Sequence, residues 1–333
     1  MQPGNITSPV LHSTLAPLLQ QFLAEKRAQG HRYDSLALVL RTFDRYLQEQ
    51  NVVDANLPRA LVETWVGKRP QESTNTQANR FYLTCQVCRF LERQGYAPFI
   101  PPFTWRPKVD RQFTPYIFSE DEVYRLFDCL DHVHSHPRAP QRARIVPLVF
   151  RLLYGCGLRI NEVLHLRVQD VDSPQAILTI REAKLQKDRL IPVAPSLAVR
   201  LRNYTDTVVG HRAPDAFFFQ APDGGAWCSQ VFYGLFRAAL QQCGIAHKGH
   251  GHGPRVHDLR HTFACHRLAH WLREGVAVDL ALPILATYMG HESVYETQRY
   301  LHLFPQLYPE ITGKLTAYCG TVIPTVEVLN EAY

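Results

Sequence analysis

The chain has 333 residues, 46% of them hydrophobic and 20% charged, with a formal net charge of +6. That length exceeds one ordinary core and predicts two domains, and the hydrophobic share excludes a disordered chain. The positive balance leans toward a polyanionic partner without deciding one. Met1-Gln2-Pro3-Gly4 does not open a charged-then-apolar signal segment, and no apolar run approaches membrane-spanning length. A cytoplasmic protein with no membrane partner is expected. Eight cysteines are scattered without a framework, which fits reduced thiols. Cys85 and Cys88 form a C-x-x-C, but no second such pair completes a zinc site, and both fall on an apolar face with Phe81 and Leu91. They are read as structural thiols.

Leu15, Leu18, Leu19, Phe22 and Leu23 repeat at helical spacing up to the break at Gly30. Leu36, Leu40, Phe43 and Leu47 mark a second helix. A shorter one is predicted over Leu57 to Val66, and a fourth from about Thr74 to Arg93. Helices with short joints predict a small all-α domain over residues 1–112. Lys26, Arg27, Arg32, Arg41, Arg45, Lys68, Arg69, Arg80, Arg89 and Arg93 are placed on its exposed faces. They are either solvated surface or a clamp on a phosphate backbone. Pro98, Pro101, Pro102, Pro107 and Pro115 then crowd one stretch, which predicts a linker at about 97–115.

The second domain is predicted over residues 113–333. Ser119-Glu120-Asp121-Glu122 reads as a capping box ahead of Val123, Leu126, Phe127 and Leu130. His132, His134 and His136 follow in a polar loop, read as exposed surface. Ile145 to Leu153 is nearly continuous in apolar residues and predicts a buried central helix. Gly155-Cys156-Gly157 gives a tight joint, after which Arg159 starts a new helix with Glu162 on the same face, placed to orient its guanidinium. Ile177–Ile180 and Arg189 to Val193 read as paired strands, with Lys184 and Lys187 in the turn between them. Ala216-Phe217-Phe218-Phe219 is expected to be a further short strand. Phe232, Leu235, Phe236 and Leu240 mark a helix ending at Gly244. The histidines of His247 to His252 lack a nearby acidic or thiol ligand, so a plain or backbone-approach loop is expected rather than a metal site. The fold class is therefore mainly α with a small antiparallel β-sheet. The tail at about 313–333 carries Val322, Ile323, Val326, Val328 and Leu329 and is expected to pack on a neighbouring protomer or on its own domain.

Between Arg237 and Arg273 there is a single acid, Asp258, against six Lys and Arg residues. Cleaving a phosphodiester needs a nucleophile, positive charge on the non-bridging oxygens and a proton for the leaving oxygen. Arg159 and Arg260 suit the oxygens, because a planar guanidinium binds phosphate bidentately and stays charged. His257, three residues before Arg260, can assist proton transfer, and His291 can hydrogen-bond the same phosphate. Lys184 can protonate the leaving alkoxide, and Tyr300 can attack. Tyr288, Tyr295 and Tyr308 lie close by, so residue type alone leaves the nucleophile open.

Five motifs occur in order: Gly157-Leu158-Arg159-Ile160-Asn161-Glu162; Lys184 in a Lys-x-x-Lys-Asp-Arg-Leu-Ile-Pro hairpin; His257-Asp258-Leu259-Arg260-His261; Met289-Gly290-His291; and Tyr300 nine residues after His291. The chain thereby resembles the tyrosine recombinase (phage integrase) family over residues 115 to 305. The resemblance implies an N-terminal all-α core-binding domain and a C-terminal mixed α+β catalytic domain. It implies catalytic roles for Arg159, Lys184, His257, Arg260, His291 and Tyr300, with Glu162 supporting. It also implies site-specific DNA recombination through a 3′-phosphotyrosyl intermediate, in the moving or resolving of a mobile element. The expected partners are double-stranded DNA sites and a homo-oligomer, a tetramer on two sites, with related recombinases able to join. No cofactor and no metal are expected. The rivals are a type IB topoisomerase, a silent DNA-binding accessory protein and a metal nuclease using the histidine loop. The stretch from Arg260 to His291 is longer than the family's usual spacing, with the extra residues placed at about Trp271 to Asp279.

Overall fold

The computed structural model describes residues 10–29, 34–109, 114–181, 188–247, 249 and 253–302. The chain divides into two compact units, Met1–Phe113 and Thr114–Tyr333.

The first unit is built from α1 (Ala16–Ala28), α2 (Asp34–Glu49), α3 (Arg59–Val66) and α4 (Thr74–Arg93). The apolar periodicity of each helix turns inward: Leu19 and Phe22, Phe43 and Leu47, Val62 and Trp65, and Phe81 and Phe90 share one core. The start of α1 is tied to α2 by Asp44, which accepts from the Ser13 hydroxyl at 2.6 Å and from the amides of His12 at 2.7 Å and Ser13 at 3.1 Å. Ser73 caps α4, its hydroxyl accepting from the Thr76 amide at 3.1 Å. Cys88 is buried and Cys85 half-buried, and both are free thiols.

One expectation fails here. Arg80 is not on an exposed face but is 3% exposed. Its guanidinium donates to the Glu72 carboxylate at 2.6 and 3.1 Å and to the Gly67 carbonyl at 2.9 Å, and it lies over the Trp65 ring. The Glu72 carboxylate pairs the buried charge through Nε and Nη2, while Nη1 is buried without a hydrogen-bond partner among the described residues. The partner sits outside α4, so helical spacing did not reveal it. Lys26 and Arg27 are half-buried, and Arg41, Arg45, Lys68, Arg69, Arg89 and Arg93 are exposed. Arg32 lies outside the described residues.

The second unit opens with α5 (Glu120–Asp131) on the predicted capping box of Ser119 and Glu122. The buried helix α6 (Arg142–Gly155) runs through its main core and leads to the short α7 (Ile160–Leu164). Strands β1 (Val171–Asp172), β2 (Ile177–Ile180) and β3 (Arg189–Pro192) form an antiparallel sheet in the order β1-β2-β3, with Leu178 facing Ile191. The sequence shows β2 and β3. The two-residue β1 is too short to carry a pattern.

Ala216–Phe219 is not a strand. Phe217 makes one isolated bridge to Arg167, and Phe218 and Phe219 are both buried, so the side chains do not alternate as a sheet face requires. Helices α8 (Pro195–Tyr204), α9 (Ser229–Gln242), α10 (Asp258–Arg273), α11 (Val278–Met289) and α12 (Val294–His302) complete the order. A second apolar cluster joins α10, α11 and α12 through Leu268, Leu285, Met289 and Tyr300. The stretch about Trp271 to Asp279 is the end of α10, a joint through Gly275 and the start of α11. Among the described residues, no helix is long and apolar enough to cross a membrane.

Candidate active site

The site is built from element ends. Arg159 stands at the N-cap of α7, where the Glu162 carboxylate accepts from its amide at 2.8 Å and from its guanidinium at 2.8 Å. Glu162 holds a second arginine on its other side. Arg189, the first residue of β3, donates to both carboxylate oxygens at 3.1 and 2.8 Å and to the Tyr288 carbonyl at 3.2 Å. Burial works to raise the Glu162 pKa, but the hydrogen bonds and charges of Arg189 and Arg159 hold it below the ordinary carboxylate value. One carboxylate thus fixes two guanidinium groups, and positive charge remains in surplus. Arg189 escaped the sequence reading; its only signal is its place in the Lys-Asp-Arg-Leu-Ile-Pro run.

Arg260 lies on the first turn of α10 and is 2% exposed. It donates to the carbonyls of Gly157 and Met289, the latter at 2.6 Å. These carbonyls belong to the joint before α7 and to the end of α11, so this arginine clamps three segments together. Burial, then the charge of Arg159, pushes its pKa down to about 10, which leaves it charged at neutral pH. The glycines follow from this closeness. Gly157 has φ +59°, and a Cβ there would collide with the Phe263 ring. Gly290 ends α11 in the left-handed region at φ +68°, where a Cβ would stand 3.0 Å from the Arg189 guanidinium.

Three histidines surround these arginines. His257 is the N-cap of α10, exposed at the surface yet crowded, and desolvation and the charges of Arg260, Arg255 and Arg159 push its pKa down to about 4. The neighbouring Asp258 is fully buried and accepts from the Arg255 amide at 2.9 Å and guanidinium at 3.0 Å, which fixes the helix start. His291 follows Gly290, and its Nδ1 lies 2.7 Å from the Thr297 hydroxyl. Burial and Arg260 push its pKa down to about 3. His261 is buried, and its Nδ1 lies 3.0 Å from the Tyr300 hydroxyl. The sequence reading gave His261 no role beyond its place in the His257–His261 motif. Thr297 was also missed, since a threonine on a polar helix gives no signal.

Tyr300 is 1% exposed on α12, with the His291 ring stacked on it at 6.1 Å between centroids. Burial raises its pKa to about 12, against the lowering charge of Arg260. Its neighbours are placed differently. Tyr288 is stacked on Phe263 and donates to the Pro192 carbonyl, Tyr295 is 80% exposed, and Tyr308 lies outside the described residues. The structure therefore brings Arg159, Glu162, His257, Arg260, His291 and Tyr300 into one cluster with Arg189 and His261. Lys184 and Lys187 lie outside the described residues. So do His250 and His252, and among the described residues no group of His, Cys, Asp or Glu is arranged to hold a metal. Chemically, the cluster offers fixed guanidinium donors, neutral imidazoles and a phenol, a set suited to a phosphate diester.

Residues 117–306 match the model of the phage integrase family. The chain belongs to that family. As a phage integrase family member it is a tyrosine recombinase, and relatives match along nearly its whole length. It is 29% identical over 307 residues to a Sinorhizobium fredii protein described as a candidate integrase/recombinase, y4rB, covering 91% of this chain and 97% of the relative. It is 27% identical over 302 residues to the tyrosine recombinase XerC of Myxococcus xanthus, covering 86% and 93%. Among solved structures, the Tn1549 transposon integrase in complex with circular intermediate DNA shares the fold, with a TM-score of 0.59 and 17% identity over 85% of this chain and 94% of that one.

Proposed function

We propose that this recombinase cuts and rejoins duplex DNA at specific sites through a covalent 3′-phosphotyrosyl bond to Tyr300. The observation that carries the reading is the placement of the Tyr300 phenol beside two imidazoles and the Arg260 and Arg159 charges. Tyr300 Oη attacks phosphorus and the bond to the 5′-oxygen breaks. Arg159 and Arg260 hold the non-bridging oxygens as charge builds, in the manner of an oxyanion hole. Lys184 gives the leaving 5′-oxygen its proton, His257 assists proton movement by taking up the proton that the Tyr300 phenol loses, and His291 steadies the phosphate. The 5′-hydroxyl of a partner strand then reverses the step and releases Tyr300. The bond energy stays in the phosphotyrosine, so ligation needs no ATP. Because Tyr300 is 1% exposed in the described state, the groups that cover it must open before the phenol meets DNA.

The exposed basic residues of the first unit supply a clamp on the phosphate backbone, and exchange between two sites calls for an assembly, read as a tetramer. The tail at 313–333, which lies outside the described residues, is assigned to contacts between protomers. The reading is tested on a nicked suicide DNA substrate. The wild-type chain is expected to form a covalent protein–DNA adduct that is absent in Tyr300→Phe. An adduct that persists in that variant overturns the assignment.

A further inference from the structure

We propose that His261 is a positioning residue for cleavage: it holds the Tyr300 hydroxyl on its attack line through the bond to Nδ1. The proposal rests on the reading of Tyr300 as nucleophile. Two constraints fix the imidazole. It follows Arg260 directly on α10, so the helix that sets the phosphate-binding guanidinium also sets the partner of the phenol. One turn earlier, the His257 ring packs edge-on against it at 4.8 Å between centroids. The Tyr300 ring is then held between two imidazoles, His261 at 5.7 Å and His291 at 6.1 Å.

The geometry assigns different tasks to the two rings. The Nδ1 of His291 is engaged by Thr297 on α12 itself, so that ring moves with α12 and offers its face to Tyr300. The Nδ1 of His261 is aimed at the phenol oxygen from a different helix. A bond between α10 and α12 fixes the phenol relative to Arg260, which is the relation that matters for in-line attack. Near-attack placement is sensitive, since a displacement of about 1 Å costs roughly 10²-fold in rate.

The role is holding rather than proton storage. Besides burial, the groups acting on His261 are His257, Arg299, Arg255 and Arg260, all neutral or cationic, and together they push its pKa down to about 3. An imidazolium at that place is strongly disfavoured, so the ring stays neutral and keeps its bond to the phenol throughout the working pH range.

The test is single-turnover cleavage of a suicide substrate at saturating DNA, with affinity for uncleaved site DNA measured beside it. His261→Ala is expected to cleave roughly 10²-fold more slowly with unchanged affinity. The defect should persist on a substrate with sulfur at the 5′-bridging position, whose leaving group needs no proton, because the lesion lies on the nucleophile's side. His261→Asn, whose side-chain amide overlies Nδ1 and can accept the bond but not store a proton, should recover at least about tenfold of the lost rate. Should the Ala variant fail to bind site DNA, His261→Leu, which refills the space, replaces it. An Ala variant as fast as wild type or faster shows that the bond merely parks the phenol and overturns the proposal. An Asn variant as slow as Ala shows that the imidazole carries the proton and overturns it equally. Failure of the wild-type chain to form any adduct would instead sink the reading of Tyr300 on which the proposal rests.

Discussion

Glu162→Gln should weaken the catalytic unit more than any other single isosteric change at the site. The carboxylate is 12% exposed as a side chain and faces guanidinium groups that are 10% exposed in Arg189 and 32% in Arg159. It accepts four hydrogen bonds, three from guanidinium nitrogens and one from the Arg159 amide. Glutamine keeps the shape, loses the charge and turns an NH2 toward donors. Removing one partner of a buried ion pair costs about 3–5 kcal/mol. The partial exposure of Arg159 and the retained amide oxygen bring the expectation to the lower end, about 3 kcal/mol. For a unit of this size that is a fall in Tm of about 6–12 °C by calorimetry at neutral pH. The Glu162 pKa is held below its ordinary value of 4.5 in the fold. Its contribution is therefore full above that value and is lost as pH falls through the lower, folded one. The gap between wild type and variant should accordingly narrow as pH drops below about 4.5. A variant that melts within 1–2 °C (about 0.5 kcal/mol) of wild type at neutral pH, or a gap that stays constant into acid, would refute the ion-pair argument.

Arg260→Lys retains charge but cannot bridge the Gly157 and Met289 carbonyls at once. Single-turnover cleavage should fall roughly 10²–10³-fold, with a lowered Tm, whereas a loss confined to DNA affinity would contradict the clamp. His261 and His291 are held neutral with pKa values pushed down to about 3. Unfolding lets them protonate near pH 6.5, so stability should be full above about 6.5 and decline as pH falls from there toward about 3, a window that opens above that of Glu162 and overlaps it below about 4.5. A Tm that rises between about pH 6.5 and 5 would refute this. In the first unit, Arg80→Leu should unfold the helices by circular dichroism yet leave the salt dependence of DNA binding unchanged in any molecules that remain folded. Arg41→Ala, Lys68→Ala or Arg89→Ala should each lower the salt slope by about one if that residue meets a phosphate, and a flat slope across all three argues against the clamp.

What the sequence disclosed depended on how local each signal was. The helices of the first unit follow from apolar spacing within single turns, and β2 and β3 from short β-branched runs with a turn between them. Arg159, with its glycines before it and Glu162 after it, is legible because three neighbouring residues explain one another. Arg189 was not, because its partner Glu162 lies on another element and nothing in β3 itself calls for a guanidinium. His261 was not, because its meaning depends on the phenol of α12, and one residue after Arg260 it reads as core. Arg80 was misplaced for the same reason: its acid, Glu72, precedes α4 and obeys no helical spacing. Phe217 to Phe219 misled because an aromatic run marks a core-facing segment as readily as a strand. Lys184 and the tail fall outside the described residues, so their roles rest on motif order and composition alone.

The central claim is that Tyr300, and no neighbouring tyrosine, carries the DNA. The most direct measurement is mass spectrometry of the trapped adduct after nuclease and protease digestion. The account predicts a 3′-phosphonucleotide on the peptide containing Tyr300. A modified Tyr288, Tyr295 or Tyr308, or cleavage that leaves no tyrosine modified, would contradict it.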